Sequence, residues 1–108
     1  MVDGLSPAEV VRRLRAGPDG SLLLDVREPF ERDLARIDPS VHIPMQEVPA
    51  RLAEIPRDLP VIVYCHTGTR SAMVAGFLER EGYRHVANLN GGIDAWSREV
   101  DPAVPRYG

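Results

Sequence analysis

The chain has 108 residues, of which 44% are hydrophobic and 27% are charged, as expected for one globular domain with its own core. A formal net charge of −3 argues against a nucleic-acid partner. No apolar run approaches the ~20 residues of a membrane span, and residues 1–7 do not resemble a signal peptide, so we expect a cytoplasmic protein that does not bind membranes. The single cysteine excludes an intramolecular disulfide and a paired-cysteine metal site.

The first predicted element is a helix that begins after Ser6. Ser6 at the N-cap, Pro7 at the first helical position and Glu9 at the third form a capping box. The apolar residues that follow supply a buried stripe: Val10, Val11 and Leu14. The turn residues 17–20 predict the end of this helix.

Short apolar runs predict the strands, which are Leu22–Val26, Val41–Ile43, Val61–Tyr64 and Val86–Leu89. Between them we predict a short helical turn within 31–37, a helix over 46–55 despite Pro49, a helix over about 71–81, and a final short helix opened by Gly91 and Gly92. Strands that alternate with helices indicate an α/β domain with a mainly parallel sheet and helices on both faces.

Cys65 follows the apolar strand 61–64 directly, and the segment behind it contains Gly68 and opens a helix. Ligands of open parallel sheets bind at the carboxyl ends of the strands, which is where this thiol lies. Backbone N–H groups of such a loop converge on an anion, and the same environment favours thiolate over thiol. The pattern therefore indicates a nucleophilic cysteine that acts on anionic substrates.

Structural interpretations stand beside this one. A lone cysteine after an apolar strand is usually a small core residue. Arg70, the only formal charge in the loop, either orients an oxyanion or anchors the loop by pairing with a carboxylate. Asp25 is better explained as a backbone cap than as a site residue, whereas Arg27 stays open and has Glu28 or Glu31 as candidate partners. The residues interpreted as structural or surface groups are His42, His85 and Trp96.

Three runs, Asp25–Glu31, Tyr64–Ser71 and Leu89–Trp96, resemble in order and spacing the signature blocks of rhodanese-like sulfurtransferase domains. The resemblance implies a three-layer α/β/α domain over residues 1–108, with about five strands, a core of about 5–100 and a Pro-containing tail of 101–108. The tail resembles that of rhodanese domains attached to adenylyltransferases that activate ubiquitin-like sulfur-carrier proteins.

The resemblance also implies a function: a small anionic donor such as thiosulfate passes a sulfane sulfur to Cys65, and cyanide, a thiol or a protein accepts it. Either the donor or the acceptor is then a candidate protein partner. We expect neither a metal nor an organic cofactor. The residues expected to bind the substrate are His66, Thr67, Gly68, Thr69, Arg70 and Ser71. Asp25 and Arg27 are supporting candidates.

Two other functions stay open. A phosphatase or arsenate reductase uses a similar thiolate, but phosphatase loops span seven residues from cysteine to arginine, whereas Cys65 to Arg70 spans six. The shorter ring suits a single sulfur and favours sulfur transfer. A non-catalytic binding module is the third alternative, and the presence of both Cys65 and Arg70 argues against it.

Overall fold

The computed structural model describes residues 2–15 and 20–108. Its strands are β1 (Asp3–Leu5), β2 (Leu22–Asp25), β3 (Val41–His42), β4 (Val61–Tyr64) and β5 (Val86–Leu89). Its α-helices are α1 (Pro7–Leu14), α2 (Pro29–Leu34), α3 (Thr69–Arg80) and α4 (Gly92–Glu99). Within the described residues, no helix is both long enough and apolar enough to cross a membrane.

The five strands form one sheet in the order β1-β5-β4-β2-β3, and every neighbouring pair is parallel. β4 lies at the centre, and all four of its residues are buried. The predicted α/β fold with a mainly parallel sheet is confirmed. β4 lies between β5 and β2 in a parallel sheet. The loop that follows β4 therefore lies between the connections that follow β5 and β2.

Alternate residues of β4 enter two separate cores, as the two-residue period of a strand requires. On one face of the sheet, β4 packs with α3 through Val61, Val63, Val74, Ala75 and Leu78. On the other face it packs with α1 and α4 through Ile62, Tyr64, Val10, Ile93 and Trp96. The helices therefore cover both faces, and Trp96 is a core residue as predicted.

The predicted start of the first helix is confirmed. The Ser6 hydroxyl accepts a hydrogen bond from the Glu9 backbone at 3.2 Å, and the Glu9 carboxylate accepts one from the Ser6 backbone at 3.1 Å. The predicted stop at 17–20 falls, except for Gly20, on residues outside the described part of the chain. The helical turn expected within 31–37 is α2, which begins earlier because Pro29 occupies its first turn.

The prediction of one helix over 46–55 is wrong. Two 3₁₀ segments, Met45–Glu47 and Pro49–Glu54, occupy this stretch, and Arg51 departs from helical geometry inside the second. Pro49 has no N–H to donate, so an α-helix cannot run through this point with its hydrogen bonds intact. The sequence also did not reveal β1, a three-residue edge strand with one buried residue.

Candidate active site

Cys65 lies directly after β4 and is 1% exposed. Its sulfur accepts hydrogen bonds from the backbone N–H groups of Gly68 at 3.1 Å and Ser71 at 3.4 Å. The Ser71 hydroxyl adds a third contact at 3.3 Å. Donors aimed at one sulfur stabilise it when it carries negative charge. The loop that turns from β4 into α3 thus forms a cradle around the Cys65 sulfur, with donors from Gly68 and Ser71.

Asn88 on β5 supports this cradle from the neighbouring strand. Its amide nitrogen donates to the Gly68 carbonyl at 3.3 Å, and its amide oxygen accepts from the Ser71 hydroxyl. Sequence analysis did not identify Asn88, which is 8% exposed. The available signal was a polar residue inside an otherwise apolar strand, because a buried amide needs partners.

Gly91 at the N-cap and Gly92 at the first position of α4 bring that helix close to the start of the loop. Gly92 has φ +62°, and a Cβ there would overlap the carbonyl oxygens of Cys65 and His66. The same two carbonyls accept hydrogen bonds from Ile93 at 2.9 Å and Asp94 at 3.1 Å. The first N–H groups of α4 therefore anchor the backbone at the nucleophile, and only glycine fits this close approach.

Arg70 pairs with a carboxylate, one of the two roles left open by its sequence. Its guanidinium donates to both oxygens of Glu31 on α2, at 2.6 and 2.8 Å. Glu31 also accepts from the Glu28 backbone at 3.0 Å and from the Tyr107 hydroxyl at 2.8 Å. The Arg70 hydrogen bonds, aided by these donors, lower the pKa of Glu31 to about 2 although burial opposes the shift.

Asp25 and Arg27 form a buried ion pair at the end of β2, where Asp25 is paired with Tyr64 of β4, and both side chains are fully buried. Asp25 accepts from the Arg27 side chain at 2.9 and 2.8 Å and from Arg32 at 3.1 Å. Burial alone would raise the pKa of Asp25, but the hydrogen bonds from Arg27 outweigh it and lower that pKa. Sequence analysis suggested Glu28 or Glu31 as the partner of Arg27, but Arg27 pairs with neither carboxylate. It donates only to the backbone carbonyl of Glu31.

Tyr107 ties the C-terminal tail to both sides of the loop. Its ring stacks on His66, with centroids 4.1 Å apart, and its carbonyl oxygen lies 2.8 Å from the His66 Nε2. Its hydroxyl accepts from Arg27 at 2.8 Å and donates to Glu31. Burial, opposed by Arg27 and reinforced by Glu31, raises the pKa of Tyr107 to about 12. No pattern in the sequence marks Tyr107 as a loop contact.

The other predicted site residues take different places around the loop. Gly68 adopts φ +108°, which its predicted role in a tight backbone path requires. Thr67 and Thr69 are exposed on the outer side of the loop. His42, interpreted as structural, contacts the Arg27 carbonyl at 2.7 Å. The structure therefore gathers Cys65 and Ser71 at the cradle and places Arg70 at its rim.

The family model of the rhodanese-like domain matches residues 6–99. A sulfurtransferase of Allochromatium vinosum is 38% identical over the full length of both chains. The probable adenylyltransferase/sulfurtransferase MoeZ of Mycobacterium tuberculosis is 36% identical, over 79% of this chain and 22% of its own length. A crystal structure of a rhodanese-related protein from Thermoplasma volcanium superposes with a TM-score of 0.84 at 31% identity, covering 97% of this chain and 99% of that one.

Proposed function

Because the chain belongs to the rhodanese-like domain family, we propose that it is a sulfurtransferase that carries a sulfane sulfur as a persulfide on Cys65. The observation that carries the proposal is the set of three donors from Gly68 and Ser71 that converge on the Cys65 sulfur. They stabilise the negative charge of the attacking thiolate on Cys65. The named sulfurtransferases among the relatives support this reaction class.

In the first half-reaction the Cys65 thiolate attacks the outer sulfur of a donor. With thiosulfate as donor, a new S–S bond forms at Cys65, the S–S bond of thiosulfate breaks, and sulfite leaves with the bonding electron pair. In the second half-reaction cyanide attacks the outer sulfur of the persulfide, thiocyanate leaves, and the Cys65 thiolate is restored. A thiol or a protein thiolate accepts the sulfur in the same way.

The acceptor must come from outside the chain. Cys65 is the only cysteine, so no second thiol of the same chain attacks its persulfide. The relationship to MoeZ, which combines adenylyltransferase and sulfurtransferase in its name, supports a protein as one such acceptor. We assign Asp25 and Arg27 a supporting role at the end of β2, since each satisfies the other's charge and Arg27 also binds the Tyr107 hydroxyl.

The contacts of Arg70 favour sulfur transfer over phosphoryl transfer. A cysteine phosphatase needs a guanidinium whose two N–H groups grip the phosphoryl oxygens. In this chain both terminal nitrogens of Arg70 donate to Glu31 instead. Transfer of a single sulfur needs no such grip, because backbone donors already surround the Cys65 sulfur.

Intact-mass spectrometry under non-reducing conditions tests this proposal. The protein is treated separately with thiosulfate and with glutathione persulfide. We expect a gain of ~32 Da with at least one of them, the mass of the one sulfur that an activated thiolate accepts. Cyanide should remove that mass and release thiocyanate catalytically. Cys65→Ser should fold normally and show neither result; thiocyanate turnover by Cys65→Ser, or no adduct from either donor, would refute the proposal.

A further inference from the structure

The Tyr107 hydroxyl lies between the two ion pairs of the site. It accepts from the Arg27 side chain at 2.8 Å, and Arg27 belongs to the buried pair with Asp25. It donates at 2.8 Å to Glu31 Oε2, and Glu31 belongs to the pair with Arg70 at the rim of the cradle. These directions are fixed, because a guanidinium only donates and a hydroxyl has a single hydrogen. The hydroxyl therefore joins the two pairs.

Glu31 is buried, so its carboxylate depends on the donors that surround it. Within the described residues these are both terminal nitrogens of Arg70, the Glu28 backbone and the Tyr107 hydroxyl. Tyr107 and Arg70 Nη2 bind the same oxygen, Oε2. A carboxylate has about four acceptor positions, so these four donors satisfy it. Loss of the Tyr107 hydroxyl would leave one position open and favour a different orientation of the Glu31 carboxylate.

Arg70 links Glu31 to the nucleophile. It directly precedes Ser71, whose backbone N–H and hydroxyl contact the Cys65 sulfur. Its hydrogen bonds to Glu31 raise the pKa of Arg70 against the effect of burial, and the charge of Cys65 adds to this rise. Both terminal nitrogens of Arg70 donate to Glu31, so the guanidinium follows the carboxylate. The position of Glu31 therefore sets how strongly the Arg70 charge stabilises a thiolate at Cys65.

The segment that contains Tyr107 is fixed to α4. The Ser97 hydroxyl donates to the Val104 carbonyl, and the Arg106 guanidinium donates to Asp94 at 2.9 Å. Val104 and Tyr107 also pack against the core on this face of the sheet. The same helix that anchors the start of the loop through its first N–H groups therefore places Tyr107.

The ring of Tyr107 makes a separate contact with His66. The two rings stack with centroids 4.1 Å apart, and the Tyr107 backbone carbonyl lies 2.8 Å from the His66 Nε2. A phenylalanine keeps both contacts, since neither uses the hydroxyl. Tyr107→Phe therefore removes the link between the ion pairs and leaves the contacts with His66 in place.

From these contacts we infer that Tyr107 is a positioning residue of the sulfur-transfer site. Its hydroxyl holds Glu31, Glu31 holds Arg70, and the Arg70 charge stabilises the thiolate that attacks the donor. The inference rests on the proposed function. Tyr107 acts through Arg70 without touching the sulfur and takes part in no covalent step.

Alkylation of Cys65 tests the inference without requiring sulfur transfer. The second-order rate with iodoacetamide is measured at neutral pH by mass spectrometry, well below the melting temperature of each variant. Tyr107→Phe should react about threefold more slowly than the native protein, because a small shift of the Arg70 charge weakens its attraction to the thiolate. A native rate in Tyr107→Phe would overturn the inference.

Tyr83→Phe is the matched control. Its hydroxyl is also lost from a buried residue, but the partners of that hydroxyl are the uncharged backbone carbonyls of Leu52 and Ile55. Tyr83→Phe should lower the melting temperature and keep the native alkylation rate. The same slowing in both variants would show a general effect of lost stability and would also overturn the inference.

A double substitution tests the route through Arg70. Arg70→Gln removes the charge that Tyr107 is inferred to position. In the Arg70→Gln protein, Tyr107→Phe should therefore leave the alkylation rate unchanged, since two residues that act through one contact are not additive. A further threefold slowing in the double variant would mean that Tyr107 acts by another route, and the inference would be wrong.

Persulfide formation on the same variants separates this inference from the proposed function. If neither thiosulfate nor glutathione persulfide gives a Cys65 adduct in the native protein, sulfur transfer is refuted, whereas the alkylation rates still decide whether Tyr107 positions Arg70. If the native protein forms the adduct and Tyr107→Phe matches it in both reactions, the proposed function stands and only the inference about Tyr107 is wrong.

Discussion

The hydroxyl oxygen of Ser71 lies 3.3 Å from the Cys65 sulfur and also contacts the amide oxygen of Asn88. The Ser71 hydroxyl has one hydrogen, so it donates to one of these acceptors at a time. The Asn88 amide nitrogen is turned to the Gly68 carbonyl, which leaves its oxygen facing Ser71. A negative charge on the sulfur therefore competes for this hydrogen with Asn88 and with the Gly68 carbonyl, which lies 3.2 Å from the hydroxyl oxygen.

Ser71→Ala should slow the reaction of Cys65 with iodoacetamide by at least about tenfold, because a hydrogen bond to a charged acceptor contributes roughly 1.5–3 kcal/mol. The second-order rate is measured at neutral pH by mass spectrometry. Ser97→Ala is the control, since Ser97 is also buried but donates to the Val104 carbonyl at the far end of α4. Equal rates for the two variants would show that the Ser71 hydroxyl does not activate the thiol.

Gly92→Ala should destabilise the protein by about 3 kcal/mol, since it adds both a steric overlap and a left-handed alanine. The new Cβ would meet the carbonyl oxygens of Cys65 and His66. Urea unfolding measures the change. Gly76→Ala is the opposite case, because Gly76 lies inside α3 and its Cβ would meet only the flexible end of Arg80, at 3.5 Å. That substitution should stabilise the protein by about 0.5–1 kcal/mol.

Asp25→Asn should reduce the free energy of unfolding by about 3 kcal/mol or more, since it leaves the fully buried Arg27 without its counter-charge. The measurement is chemical denaturation at neutral pH. Asp94→Asn also removes a negative charge shared by two arginines, Arg98 and Arg106, but both of those are largely exposed. Little change is expected there. Similar losses for both aspartates would contradict the structural role of the buried pair.

The pH dependence of stability should report on Glu31. Its pKa falls from 4.5 to about 2 on folding, so its contribution is complete above the unfolded value and is lost as the pH falls toward about 2. Tyr107→Phe removes one of its donors and should raise that pKa. The total contribution of Glu31 is then smaller, so the variant should be less stable at neutral pH and should lose less stability than the native protein between neutral pH and about pH 3.

Tyr83→Phe is the control for this experiment. The Tyr83 hydroxyl donates to the carbonyls of Leu52 and Ile55, neither of which titrates. Its loss should lower the melting temperature without changing the acid dependence of the native protein. Parallel acid profiles for the native protein and Tyr107→Phe would contradict the link between Tyr107 and Glu31.

The centre of this fold could be predicted from local patterns alone. β4 and β5 occupy the residues predicted for them, because a parallel strand buried on both faces is a continuous apolar run. The start of α1 could be predicted equally well, since a capping box is a motif of only four consecutive residues. In contrast, the apolar spacing of 46–55 suits an α-helix, but Pro49 cannot donate the backbone hydrogen bond that an α-helix needs there. The chain forms a 3₁₀ segment from Pro49 instead.

The surroundings of the cysteine could be predicted only in part. The loop itself follows from a strand, a glycine and a helix start in succession. Glu31, the partner of Arg70, is 39 positions away in the sequence, and the Tyr107 hydroxyl that also binds Glu31 is 76 positions from Glu31. Such pairings depend on how the crossovers and the tail meet in space, and no period or spacing along the chain encodes them.

The position of the tail has a practical consequence for producing the protein. Gly108 packs against the imidazole of His66, and even a single Cβ at this position would approach that ring within 2.8 Å. An affinity tag or fluorescent fusion joined after Gly108 would begin beside His66, the residue that follows Cys65. Purification handles are better placed before β1, because β1, β5 and β4 are parallel and the amino end of β1 lies at the end of the sheet away from Cys65. In assays of a C-terminally tagged version, the tag would change the surroundings of His66 and of the neighbouring Cys65.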